Sequence, residues 1–120
     1  MDYNFEPEEK LYRAVLPIED MWKSDGTPSS AAFKSIDGCS VDRGNYREDH
    51  DAANLMISRG LQGTIVSLTV NDCINVQADV KYLPVAGNEY HSEIHGSHDK
   101  VQLTKSQARK LSRVAKIIGV

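Results

Sequence analysis

The amino-acid sequence predicts an α+β domain with one mixed or antiparallel sheet and two main helices. β-branched and apolar residues alternate over residues 64–70, which is typical of a strand. Residues 46–59 carry capping and stop signals, and residues 104–118 carry a capping pair and an apolar face, so both segments are predicted to be helices. The segments follow one another without a repeated βαβ unit. This order favours a sheet that carries helices over a doubly wound parallel fold.

Short apolar runs between turn residues predict the strands, at residues 11–16, 39–41, 64–70, 79–85 and 90–95. Both faces of the first strand are largely apolar, and Arg13 is its exception. Pro17 ends this strand, one helical turn is expected soon after it, and the pair Asn71-Asp72 predicts a turn after the third strand.

Capping residues set the ends expected for the two helices. Asn45 can cap the first helix, with Glu48 at the capping-box spacing, and Gly60 supplies its C-terminal stop. Thr104 and Gln107 have the same spacing at the start of the second helix. The second helix has one apolar face and a basic face opposite to it.

Length and composition bound the class of protein. The chain has 120 residues, 40% of them hydrophobic and 26% charged, and a net charge of −3. A chain of this size can bury roughly two-thirds of the surface that its unfolded form exposes. No stretch reaches the ~20 apolar residues of a membrane span, and the acidic start does not resemble a signal peptide. We therefore expect a cytoplasmic protein with one domain at residues 10–120, after a flexible acidic arm at residues 1–9.

The two cysteines, Cys39 and Cys73, are too few for a disulfide framework and lack the spacing of zinc ligands. We interpret them as reduced core residues. Without HExxH, P-loop or dinucleotide-binding glycine patterns, we expect neither a metal nor a cofactor.

One strand carries the residues best suited to chemistry. Period-two alternation places His91, Glu93 and His95 on one face of the strand at 90–95. A carboxylate beside an imidazole fixes its tautomer and favours its protonated form, so His91 and Glu93 are the candidate catalytic acid-base pair. The alternative is a solvated sheet face without a site.

Four further residues are candidate ligand-binding groups. The guanidinium of Arg13 on an interior strand can bind a phosphate or carboxylate, and Ser29, Ser30 and Arg43 could complete such a pocket. The alternatives are structural. Arg13 would pair with an acid, and the serines would cap turns.

The basic face of the last helix contains Lys105, Arg109 and Arg113, which are candidates for binding an acidic protein partner. The alternative is that this is only the solvated face of an amphipathic helix. The first sixty residues are acidic and the second sixty slightly basic, so any attraction for an anionic partner would be local.

The runs Leu11-Tyr12-Arg13, Pro28-Ser29-Ser30-Ala31-Ala32-Phe33, Ser40-Val41-Asp42-Arg43 and Tyr90-His91-Ser92-Glu93-Ile94 resemble a group of small uncharacterised prokaryotic proteins, and this resemblance implies no activity. The order Arg13, Ser29 or Ser30, then Glu93 resembles the arginine, serine and glutamate of ADP-ribosyltransferases. His91 stands where arginine-modifying members carry Glu or Gln.

These observations lead to two functional expectations. The first is a pocket of Arg13, Ser29, Ser30, Arg43, His91 and Glu93 that binds a phosphate-bearing anion, a nucleotide or an RNA. Metal-independent acid-base or ADP-ribosyl-type chemistry could follow there, and the sequence leaves open whether the protein is an enzyme. The alternative is a non-catalytic module that binds a protein through the basic helix. Exposed strand edges would also permit a homodimer.

Overall fold

Six strands form one antiparallel sheet in the computed structural model, which describes residues 1–118. They are β1 (Lys10–Val15), β2 (Cys39–Arg43), β3 (Thr64–Thr69), β4 (Asp79–Tyr82), β5 (His91–His95) and β6 (Lys116–Ile117), in the spatial order β4-β5-β2-β1-β3-β6. The predicted α+β class with a single sheet is therefore confirmed, and the sheet is antiparallel.

Within residues 1–118, three α-helices accompany the sheet: α1 (Asp49–Ser58), α2 (Val70–Asn75) and α3 (Lys105–Val114). Two 3₁₀ turns, Glu19–Met21 and Ser30–Phe33, lie in the long connection between β1 and β2. Within residues 1–118, none of the helices has the length and apolar character needed to cross a membrane.

The sheet has two faces, each with its own apolar core. The face that we call the α3 face packs the larger core, which includes Leu11, Phe33, Val66 and Leu111. The opposite face, the α1 face, packs Tyr12 and Ile65 against the small residues of α1 and Met56. Residues that stand opposite one another in register share a face, so Tyr12, Asp42 and His91 all belong to the α1 face.

Both main helices differ in extent from their predicted ranges. α1 begins at Asp49 instead of residue 46, because Asn45 and Tyr46 have positive φ angles of 49° and 61° and form a tight turn. Arg47 stabilises this turn by donating to the carbonyls of Arg43 and Gly44. Asn45 is therefore not the N-cap of α1.

The last helix is shorter than the predicted range 104–118. Its N-terminal capping box is confirmed, since the Thr104 hydroxyl accepts from the Gln107 amide and the Gln107 side chain accepts from the Thr104 amide. The helix ends at Val114 because Lys116 and Ile117 pair with β3. A second capping box, between Thr69 and Asp72, starts α2 where the sequence predicted only a turn.

The N-terminal arm contacts the sheet through a buried ion pair. The carboxylate of Glu9 is buried against the guanidinium of Arg43, at 2.8 Å for both of its oxygens. Arg43 also donates to the backbone carbonyls of Asp2 and Asn4, and the ring of Phe5 lies 4.2 Å from its guanidinium carbon. One buried arginine thus holds residues 2–9 against the sheet.

Candidate functional site

The His-Glu-His row on β5 places three titratable side chains next to one another on one face of the sheet. Nε2 of His95 lies 2.7 Å from Oε1 of Glu93, and Nε2 of His91 lies 3.5 Å from Oε2 of the same carboxylate. All three side chains are mostly buried. The prediction that they share one sheet face is confirmed, and a single carboxylate orients two imidazole rings.

Gly38 provides the space for this arrangement. Its φ is +105°, and a Cβ built on it would lie 2.5 Å from Oε1 of Glu93. A glycine is therefore needed on two grounds, because the backbone conformation disfavours other residues and the carboxylate occupies the place of a side chain.

A cavity of about 470 Å³ lies next to this row on the α1 face. We call it the Arg59 cavity. Its polar lining residues are Arg13, Ser40, Asp42, Arg59, Asn88 and His91, and its apolar lining includes Met56, Leu61, Val85 and Ala86. The cavity exists because α1 covers β1 and β3 only, which leaves the β2–β5 part of this face open.

Asp42 organises the polar side of the Arg59 cavity. Its buried carboxylate accepts from Nη2 of Arg59 at 2.7 Å and from the side-chain amide of Asn88 at 2.9 Å. It thereby joins β2 to the end of α1 and to the turn that connects β4 and β5. Nη1 of Arg59 is buried and has no hydrogen-bond partner within residues 1–118.

Arg13 reaches the same cavity from the opposite face of the sheet. β1 and β2 pair only at Leu11–Arg43 and Tyr12–Asp42, and beyond these pairs the strands diverge. The guanidinium of Arg13 fills the gap, where Nε donates to the Ala32 carbonyl and Nη1 to the Ser40 carbonyl, both at 2.7 Å. Nη2 makes no hydrogen bond within residues 1–118.

The structure brings together only part of the predicted pocket. Arg13 and His91 line the Arg59 cavity, and Glu93 contacts His91. Ser29 lies elsewhere, with its hydroxyl donating to the Asp20 carbonyl at 2.5 Å. Ser30 begins the second 3₁₀ turn and does not line the cavity.

Arg43 is also absent from the cavity, because its guanidinium is committed to Glu9 and the N-terminal arm. Arg59 and Asn88 line it instead, and sequence reasoning did not identify them. Arg59 directly follows α1, whereas Asn88 lies in the turn between β4 and β5, and no local sequence pattern marks either residue. Asp42 carries a weak signal, since it is an acid within a short apolar strand.

The thiols of Cys39 and Cys73 are free and buried, and burial raises the pKa of both. The charges of Arg13 and Glu93 act on Cys39 in opposite directions, so both side chains lie near it. Neither thiol has the low pKa of a nucleophile.

Within residues 1–118, no three His, Cys, Asp or Glu side chains are placed to hold a metal ion together. In the His-Glu-His row, the carboxylate of Glu93 stands between the two imidazoles, so their Nε2 atoms face different oxygens of Glu93. This geometry suits proton exchange between the groups better than shared coordination.

The basic face of α3 is exposed. Lys105, Arg109 and Arg113 point to solvent on the outer side of the helix, whose inner side buries Ala108 and Leu111. None of the three cations forms an ion pair with a residue of the described part of the chain.

Comparison with known proteins returns no match to a family model, a curated protein or a solved structure. The two resemblances noted in the sequence therefore stay predictions. Any inference about function depends on the geometry of the Arg59 cavity and the residues beside it.

Proposed function

We propose that this protein binds a phosphate-bearing anionic ligand, a nucleotide or an RNA, in the Arg59 cavity. The observation that supports this most directly is the buried Nη1 of Arg59, which has no partner within residues 1–118. A buried donor without a partner destabilises the folded chain by about 1–3 kcal/mol. Nη1 is closed to solvent in this structure, so an anionic oxygen would satisfy this donor once the guanidinium turns toward the cavity, and guanidinium groups bind phosphate oxygens well.

The charges of the cavity support the same ligand. Arg13 and Arg59 both line it, and the carboxylate of Asp42 balances only one of them. The imidazole of His91 adds a donor toward the anion in its protonated form, because Nε2 faces Glu93 and only the imidazolium also carries a proton on Nδ1. An anion would therefore meet an excess of positive charge in a partly enclosed site, where charges interact more strongly than in water.

We further propose that any catalysis here is acid-base chemistry by His91. Nε2 of His91 faces Glu93, so Nδ1 is the ring nitrogen that remains for the ligand. Glu93 would set the tautomer of His91, and Arg13 would stabilise negative charge that develops on the ligand. ADP-ribosyl-type transfer is less favoured, because the hydroxyl of Ser29 is bonded to Asp20 and not directed to this cavity.

The test measures binding of inorganic phosphate and pyrophosphate by isothermal titration calorimetry. Arg59→Lys keeps a charge beside Asp42 but loses the forked donor, and we expect it to weaken binding about tenfold, since a hydrogen bond to a charged group contributes about 1.5–3 kcal/mol. His91→Gln should weaken binding less. Arg109→Lys, on the exposed face of α3, is the matched control and should bind as the wild type does. Equal binding by Arg59→Lys and the wild type would refute the proposal.

A second candidate function is a protein-interaction module that uses the basic face of α3. The exposed and unpaired state of Lys105, Arg109 and Arg113 within the described residues supports it. Reversal of all three to Glu should abolish the capture of acidic partner proteins in a pull-down assay, whereas Arg59→Lys should not affect it. Capture that survives the triple reversal would contradict this candidate.

A further inference from the structure

The Arg59 cavity has an apolar half that an inorganic anion does not need. Met56 contributes to it from α1, and Leu61 and Val85 come from the two loops at its rim. Leu61 is 42% exposed and Val85 is 52% exposed, although both are aliphatic. Exposed apolar side chains at the rim of a concave polar site are a feature of small-molecule pockets, where they bind the body of a ligand while a few polar groups orient it.

The rim is held in place before any ligand binds. Val85 and Asn88 exchange two backbone hydrogen bonds across the tight turn between β4 and β5, at 3.1 and 3.0 Å. The side chain of Asn88 then ties this turn to Asp42. A fixed rim reduces the conformational entropy lost on binding, so Val85 presents a preformed apolar contact.

The size of the cavity and its charge favour a ligand with one phosphate group and one apolar or heteroaromatic group. Its volume of about 470 Å³ lies within the range of about 300–1,000 Å³ that is usual for small-molecule sites. Two guanidiniums and one carboxylate leave one formal positive charge, apart from His91. This charge suits a single phosphate.

A polynucleotide fits these observations less well than a small ligand. Binding of a strand needs a row of cations, because each contacted phosphate requires its own counterion. The row of cations in this chain lies on α3, and α3 packs on the α3 face of the sheet, whereas the Arg59 cavity opens on the α1 face. A strand would have to pass around the sheet edge to contact both.

We infer that the ligand of the Arg59 cavity is a single phosphomonoester of mononucleotide size. Its phosphate binds Arg59 and Arg13, and its apolar or heteroaromatic body packs against Leu61 and Val85. This inference rests on the proposed anion-binding function and narrows it to one class of ligand.

The experiment compares three probes on the full chain by calorimetry: AMP, inorganic phosphate and a short 5′-phosphorylated oligoribonucleotide. We expect AMP to bind at least tenfold more tightly than phosphate, and not more weakly than the oligoribonucleotide. Leu61→Ser and Val85→Ser should each weaken AMP binding about five- to tenfold, as expected for the loss of one aliphatic contact. Neither should change phosphate binding. Ile36→Ser is the matched control, since Ile36 is 80% exposed and lies outside the cavity.

Each outcome separates this inference from the proposed function. If Arg59→Lys weakens phosphate and AMP alike but Leu61→Ser and Val85→Ser change neither, anion binding stands and the mononucleotide inference is wrong. Tighter binding of the oligoribonucleotide than of AMP also overturns it, in favour of an RNA strand. If no probe binds, or if Arg59→Lys has no effect on any probe, both fail.

Discussion

Replacement of Arg43 tests whether this arginine is a structural residue or a ligand-binding one. Its side chain is 3% exposed, and it forms a forked pair with Glu9, whose side chain is 1% exposed. Its guanidinium also donates to two backbone carbonyls of the N-terminal arm and contacts the rings of Phe5 and Tyr82. Arg43→Met therefore removes the partner of a carboxylate that stays buried.

We expect Arg43→Met to lower the free energy of unfolding by about 3–5 kcal/mol, the usual effect of removing one partner of a buried ion pair. This loss is a large part of the total free energy of unfolding of a domain, which is about 5–15 kcal/mol. The assay is urea denaturation followed by circular dichroism. Arg43→Lys, which keeps the charge but not the fork, should show an intermediate loss.

The double variant Arg43→Met with Glu9→Leu should recover much of the stability, because replacing a buried pair by apolar groups removes the penalty of an unpaired charge. Arg113→Met on the exposed face of α3 is the control and should stay within about 0.5 kcal/mol of the wild type. A loss below about 1 kcal/mol for Arg43→Met would refute a structural role and return Arg43 to the candidate ligand-binding groups.

Three further predictions concern the sheet and its site. Arg13→Lys should lower the free energy of unfolding by about 1–3 kcal/mol even without ligand, because one ammonium group cannot satisfy the carbonyls of both Ala32 and Ser40 as the guanidinium does; wild-type stability would contradict this. Gly38→Ala should destabilise the chain by more than about 1 kcal/mol and displace Glu93, which heteronuclear NMR of the histidine rings would detect; unchanged ring signals would count against it. The hydrogen bond from the Tyr12 hydroxyl is the main cause that lowers the pKa of Asp49. The ionised carboxylate of Asp49 therefore stabilises the folded chain at neutral pH, and this contribution is lost as the pH falls below about 4. Tyr12→Phe should reduce the acid dependence of unfolding, and an identical pH profile would refute the role of that bond.

The elements that were predicted well are those whose signal is local. The alternation in β3 and the capping box of Thr104 and Gln107 depend on neighbouring residues only, and both are present in the structure. The start of α1 was predicted wrongly because long-range contacts decide it. The main-chain amide of Asn45 donates to the buried carboxylate of Glu9 at 3.0 Å, so Asn45 lies in a tight turn before the helix and not at its N-cap.

The residues of the candidate site also fall into two groups, those that a local pattern places and those that long-range contacts place. His91, Glu93 and His95 lie on one strand, so the period of a strand was enough to place them together. Arg59 and Asn88 meet only through Asp42, across separations of 17 and 46 residues along the chain. Local periodicity carries no information about such a junction, because it depends on the register of β2 against β5 and on the packing of α1 against the sheet.

The position of the Arg59 cavity follows from two features of the fold. α1 is ten residues long, too short and too far toward β3 to cover the whole sheet, so the polar residues of β2 and β5 stay open on its face. β1 and β2 separate after two residue pairs, and the guanidinium of Arg13 links β1 to the Ser40 carbonyl of β2 and to the Ala32 carbonyl of the second 3₁₀ turn. Arg13 thus connects these segments and also places a cation in the lining of the cavity. Variants of Arg13, and of Arg59 with its bond to the buried carboxylate of Asp42, therefore change stability and binding together, whereas variants of Leu61 and Val85 report on the ligand.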